Sequence, residues 1–242
     1  MLPIKLGKLP AKEDSRNLKF TRYLPVLPEI PPSAGWHTAK PISDWGMYGN
    51  DKYGNCVIVT AAHIIDCAQV WEYGNNSPLG EDRVVYLSQL MKATDGYYIL
   101  DRLNYWRKTG MFDTKIEAFV DVDKNHDYIR SAINIFGHAD IGLLMPEAWK
   151  NTNFWDAGTS PSYDVGTWGG HSVPLLGYGQ DENYGLIYYA CTWGRIVEVT
   201  AAAINKYCDE IYTSILPDWY AKDGITASGF NIDQLREDLA KL

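Results

Sequence analysis

The sequence is short of cysteine, of long apolar runs and of positive charge. Four cysteines in 242 residues (Cys56, Cys67, Cys191, Cys208) include no CxxC pair, which excludes the usual zinc-ribbon and dithiol-redox arrangements and reads as free thiols in a reducing compartment. No stretch approaches the ~20 apolar residues of a membrane-spanning helix. The start, MLPIKLGKLPAKED, has basic residues but no apolar run of the kind a signal peptide carries, so a soluble, unexported chain is expected. Twenty-two basic against thirty acidic residues leave a formal charge of −8. That balance argues against general nucleic-acid binding, which needs clustered Lys and Arg.

What the chain does have is 46% hydrophobic residues, enough for a sizeable core in one domain. Its charge is unevenly spread. Residues 1–40 hold seven Lys or Arg and three acids, a local +4, which leaves −12 on the remaining 202 residues. The same segment holds six of the twelve prolines, with Leu-Pro recurring at Leu2, Leu9, Leu24 and Leu27. Proline fixes its own φ and pushes its predecessor towards extended backbone. Residues 1–40 therefore read as an extended basic arm, lying in solvent, on a neighbouring subunit or on the body of its own fold.

In the body, Cys56 to Trp71 places Val57, Ala61, Ile64, Ile65 and Ala68 at the spacing of a buried helix, punctuated by Gly54 and Asn55 before it and by Gly74, Asn75 and Asn76 after it. Further helices are predicted over Val84–Thr94, Tyr98–Thr109 and Lys124–Phe136. Short β-prone runs bounded by Gly or Asn follow at Ala139–Leu144, Val173–Gly177, Gly185–Cys191 and Arg195–Thr200. Ala201–Tyr212 and Ile232–Leu242 read as late helices. Helices first and antiparallel strands afterwards indicate an α+β chain with two lobes.

Cys56 sits at a loop-to-helix junction, where unpaired N–H groups and the helix dipole favour a thiolate. A nucleophilic thiolate needs a partner to move its proton. His63, seven residues on, lies about 10 Å down the helix axis and reads as a structural histidine. With Cys67 it makes a two-ligand pair lacking an evident third, so no metal and no cofactor are expected. His171, in TWGGHSVPLLGYG, stands where two glycines lead into a strand. Trp71, Trp106 and Trp149 read as core.

The order of NDKYGNC ending at Cys56, a helical lobe, GHSVPLLGYG containing His171, and the Trp193–Gly194 end of CTWG is similar to papain-like cysteine peptidases. Weaker likeness runs through Leu87–Gly96 and Leu103–Trp149, so residues 42–195 are covered. Phage- and prophage-encoded members are the most alike. The resemblance implies a papain-like two-lobed fold behind the arm, with residues 41–242 divided into a helical lobe (about 50–136), a β lobe (about 137–200) and C-terminal helices (about 201–242). It makes Cys56 the nucleophile, His171 the acid and base, and Asn50 an oxyanion donor in place of a glutamine. Gly96 would be the glycine whose backbone pairs with an extended substrate, with Trp193 and Trp168 in the cleft wall. One position departs: where the family orients the histidine with an asparagine this chain has Cys191, a weak acceptor. Thr192, Asp164, a backbone carbonyl or water are the substitutes open to it.

Three readings follow. One is a cysteine hydrolase of peptide, amide or ester bonds, with a peptide or protein substrate and an altered triad that weakens or abolishes activity. The alternative is a non-catalytic papain-fold assembly protein, such as a phage virion or tail component joined to neighbouring subunits through residues 1–40. A third is acyl transfer to an amine, since the same Cys-His chemistry serves any acceptor. The expected location is the cytoplasm of a host cell, or a virion.

Overall fold

The computed structural model describes residues 4–24, 26–39, 45–74, 79–217 and 232–241. Asn75, Asn76 and Leu242 lie outside the described residues. The arm carries a short helix α1 (Phe20–Tyr23), a two-residue strand β1 (Ala34–Gly35) and a short helix α2 (Trp36–Ala39). The long buried helix α3 (Cys56–Tyr73) follows. It stops at Gly74, whose left-handed φ of 65° lets its N–H reach back to the Val70 carbonyl at 3.0 Å, the usual glycine termination. Helices α4 (Glu81–Leu90) and α5 (Ile99–Lys108) pack on it.

The sheet then begins with β2 (Ala118–Asp121), before α6 (His126–Phe136). Asn125 caps α6 by accepting the Asp127 N–H at 2.8 Å. The rest of the sheet is β3 (Ala139–Met145), β4 (Phe154–Trp155), β5 (Gly169–Asp181), β6 (Gly185–Thr192) and β7 (Arg195–Thr200). After α7 (Ala201–Tyr207) come β8 (Cys208–Ile215) and the terminal helix α8 (Ile232–Leu239). The strand order is β2-β8-β3-β5-β6-β7-β4, with β1 on β5. All pairs are antiparallel except β4 with β7.

Two elements correct the sequence reading. The helix expected over Ala201–Tyr212 ends at Tyr207, and Cys208–Ile215 is instead an inner strand between β2 and β3. Ile204, Tyr207, Cys208 and Ile211 are spaced for a helix, but both faces of the strand are buried, so no polar alternation marks it. The run at Val173 is also longer than expected, spanning Gly169–Asp181 with Pro174 and four glycines inside it. Of the courses open to the arm, it takes the one along the body of its own fold: Phe20, Tyr23 and Leu24 are fully buried in the sheet-side core.

Two apolar cores result. One gathers α3, α4 and α5, and the other covers the sheet, α1 and α6. Helix α3 runs along the seam between them, so its first residue meets β5 from the opposite lobe.

Candidate active site

Cys56 is the first residue of α3. Asn55, which precedes it, does not cap the helix with its side chain. Its amide instead braces the loop, donating to the Tyr48 carbonyl at 3.0 Å and to Ser88 Oγ at 3.1 Å. At the helix start the Val57 N–H bonds to the thiol. Cys56 is nevertheless only 1% exposed, and burial pushes its thiol up. Backbone hydrogen bonds from Ser172, Gly7 and Val57 and the charge of Lys8 act against that rise. The expectation of a thiol lowered by its helix position is therefore overturned in this closed arrangement, because desolvation outweighs the dipole.

His171 lies on β5, opposite Leu143 of β3, one residue before the Ser172 backbone that bonds to Cys56. Its Nε2 is 2.8 Å from Thr192 Oγ1, and its buried Nδ1 has no hydrogen-bond partner among the described residues. Burial first, and the nearby His63 second, push its pKa down to about 3. The imidazole is therefore neutral. Trp193 stacks on it with centroids 4.6 Å apart and planes 20° from parallel.

That stacking comes from a hairpin. Strands β6 and β7 join through Trp193 and Gly194, both with positive φ (49° and 71°), as a two-residue type I′ turn demands. A tryptophan is unusual there, and the conformation carries a cost for any residue with a Cβ. Its return is a ring laid over His171. Trp168 closes the same wall, 5.7 Å from Trp193.

The position expected to orient the histidine, Cys191, faces away from it. Successive strand residues point to opposite faces: Cys191 joins Trp45, Cys67 and Leu176 in a small core, and Thr192 turns to His171. Asp164 is exposed while His171 is buried. Asn50 is buried, and its Nδ2 donates to the Tyr53 carbonyl at 3.0 Å, to Asn55 Oδ1 at 3.3 Å and to the Lys5 carbonyl at 3.4 Å. His63 belongs to the core, with Nε2 3.2 Å from the Gly46 carbonyl and its ring against Tyr48 and Trp45. Among the described residues no group of three His, Cys, Asp or Glu side chains is placed to hold a metal, and no helix is long and apolar enough to cross a membrane.

Sequence reasoning missed what fills the cleft. Residues 5–9 of the arm run through it. Lys8 N–H donates to the Gly170 carbonyl at 3.0 Å, Tyr97 N–H to the Gly7 carbonyl at 2.8 Å, and Leu9 N–H to the Tyr97 carbonyl at 3.0 Å, a parallel pairing. The residue that pairs with an extended segment is thus Tyr97, and Gly96 beside it supplies room: a Cβ there would meet Leu9 at 3.1 Å and the Gly7 carbonyl at 3.2 Å. A Cβ on Gly170 would stand 2.1 Å from the Lys8 carbonyl oxygen. The charges also meet inside the chain. Lys8 pairs with Asp209 and Glu210, Lys12 with Asp101, Lys19 with Asp121 and Arg22 with Asp238.

The sequence matches no protein-family model and no curated protein. Solved structures do match, and they establish the fold as papain-like. Xylellain, a cysteine protease from Xylella fastidiosa, is 14% identical with a TM-score of 0.64, over 89% of this chain and 97% of its own. The Amb a 11 cysteine protease of ragweed pollen, in its proform, is 16% identical with a TM-score of 0.60, over 83% of this chain and 70% of its own. Procathepsin L 3 from the Tenebrio molitor larval midgut is 12% identical with a TM-score of 0.59, over 89% and 77%. These structures give no support to a phage or virion origin.

Proposed function

We propose that this chain is a thiol hydrolase of the papain-like kind, in a state whose cleft is closed by its own residues 5–9. The observation that carries the reading is the pose of His171: Nε2 is held by Thr192, Nδ1 is left without a partner, and the next backbone N–H bonds to Cys56. The equally buried His138, by contrast, has both nitrogens satisfied.

Once the arm is displaced, Cys56 Sγ attacks an acyl carbonyl while its proton passes to His171 Nδ1. The carbonyl oxygen, now negative, is met by the Cys56 N–H and the Asn50 amide, which already reaches the Lys5 carbonyl in the closed state. His171 returns the proton to the leaving amine or alcohol as the bond breaks. Water then attacks the thioester, giving its proton to His171, and Sγ leaves as the acid forms. Thr192 accepts the Nε2–H throughout and fixes the tautomer, the role the family gives to a side-chain amide.

The assembly reading needs a free arm, and four of the arm's cations, Lys8, Lys12, Lys19 and Arg22, are already paired with body carboxylates. Alkylation by iodoacetamide, read cysteine by cysteine after arm release by Gly7→Val, tests the hydrolase reading. Cys56 is expected to react at least tenfold faster than Cys67, Cys191 and Cys208, whose thiols burial pushes up. His171→Ala should abolish that advantage. Equal and slow reaction of all four thiols would overturn it.

A further inference from the structure

The arm's course through the cleft also describes a pocket. We propose that Asp209, Glu210 and Gly142 form the side-chain specificity pocket of the cleft, and that the peptides it accepts present a Lys or Arg side chain there. For turnover this rests on the hydrolase reading above; for binding it does not.

Lys8 shows how the pocket is filled. Its side chain is fully enclosed, with Nζ 2.6 Å from Asp209 Oδ2, 3.0 Å from Glu210 Oε1 and 3.1 Å from the Leu9 carbonyl. Its backbone is held from both walls, by Gly170 and through its neighbours by Tyr97. Gly7, the preceding residue, bonds to Cys56. A side chain in this pocket therefore belongs to a residue within about two positions of the carbonyl over the thiol.

Two local features build the pocket. Neighbouring strand residues normally point to opposite faces, yet Asp209 and Glu210 both reach one ammonium. The register of β8 against β3 slips here: Gly142 faces Glu210 and Leu143 faces Cys208, so Asp209 is the extra residue of a bulge. Opposite the bulge, Gly142 leaves the channel for the aliphatic stem. A Cβ on it would stand 2.1 Å from Lys8 Cε and 2.7 Å from Glu210 Cγ.

The chemistry of the pocket selects a cation. The Glu210 side chain is about 5% exposed, its counter-charge is the Lys8 ammonium at 3.0 Å, and its other hydrogen-bond neighbour is the neutral side chain of Tyr212. A buried carboxylate left without a counter-charge is strongly unfavourable. An apolar side chain would strand it, and an acidic one would add a third negative charge.

The test uses the full chain with Lys8→Ala, to loosen the arm, and Cys56→Ser, to prevent reaction. The probe is a fluorescent peptide of residues 4–12, with Lys8→Arg, Lys8→Leu and Lys8→Glu versions, read by anisotropy. The Lys and Arg peptides are expected to bind at least tenfold more tightly than the Leu peptide, and the Glu peptide not measurably. Asp209→Asn with Glu210→Gln should erase the difference; if that pair fails to fold by circular dichroism, each single change should reduce it. Equal binding of Lys and Leu peptides, a preference that survives the substitutions, or no binding of any peptide would overturn the proposal. Turnover of the same peptides by the Lys8→Ala chain with Cys56 intact separates the two readings. A basic preference in binding with no cleavage would leave the pocket and remove the hydrolase; cleavage without basic preference would do the reverse.

Discussion

Gly7 of the arm lies backbone to backbone on Gly54, the residue two before Cys56: a Cβ on Gly7 would stand 1.8 Å from the Gly54 carbonyl oxygen. Neither partner is a flexible side-chain end, so nothing can yield without moving main chain. Gly7→Val should therefore unseat the arm while leaving both cores intact. Overpacking of this kind costs about 1–3 kcal/mol, so the open population should rise about five- to 150-fold, measured as the alkylation rate of Cys56. An unchanged rate would mean that the arm does not control access.

Thr192 is the residue proposed to orient His171. Thr192→Val keeps the shape and removes the oxygen 2.8 Å from His171 Nε2. General acid–base catalysis contributes about 10²–10⁴-fold, and an unoriented imidazole forfeits part of it. In the Gly7→Val background, Cys56 should react at least tenfold more slowly with Thr192→Val, and at nearly the parent rate with Thr192→Ser. The check is the alkylation rate against pH, whose inflection should move with the first change and not with the second.

Behind the thiol lies a buried ionic chain. Arg102 pairs with Asp140, Asp140 accepts from Ser172 Oγ at 3.4 Å, and Ser172 Oγ meets Thr60 Oγ1 of α3 at 3.0 Å. Removing one member of a buried pair strands the other charge, at about 3–5 kcal/mol. Arg102→Leu should lower stability by that amount in urea unfolding, and Asp140→Asn added to it should recover a substantial part. Additive losses would show that the two groups do not depend on each other.

His138 is held neutral. Its Nδ1–H donates to the Phe136 carbonyl at 3.0 Å, and its Nε2 accepts the Ser214 N–H at 3.2 Å. Burial pushes its pKa down from 6.5 to about 3. The unfolded chain then binds a proton that the folded chain refuses, so the stability this residue contributes is present above pH 6.5 and is lost as pH falls towards 3. The loss is about 1.4 kcal/mol per pH unit in that window. Asp66 and Glu210, pushed up by burial to about 6 and about 7, change stability with the opposite sign, so the test must isolate the histidine. His138→Gln should be less stable than the parent at pH 8, with a gap that narrows steadily from pH 6 to pH 4. A constant gap in urea unfolding would contradict this.

Much of the fold was readable because it is written locally. Helix α3 has its apolar spacing and its terminal glycine in adjacent residues, and the Cys56 and His171 segments carry their glycines beside them. Strand β8 was not readable, since a run buried on both faces has no period to separate it from a helix. The orienting residue was narrowed and not chosen: Cys191 and Thr192 differ by one position, and which faces His171 depends on strand register. The occupied cleft was invisible for a different reason. Nothing in KLGKLP distinguishes a glycine in a linker from one pressed on Gly54, because the constraint comes from a segment 47 residues away.

The Lys8–Asp209 bond has a temporal consequence. It joins positions 201 residues apart, and contacts of such separation close late, since the chain entropy of the intervening loop must be overcome first. The arm leaves the ribosome ahead of the body, and half of its seat follows 201 residues later. Cys56, Gly54 and Tyr97 are synthesised, and the helical core they belong to can pack, before Asp209 and Glu210 exist. Each molecule therefore passes through an interval in which its thiol is formed and uncovered, and the cover is fitted as folding ends.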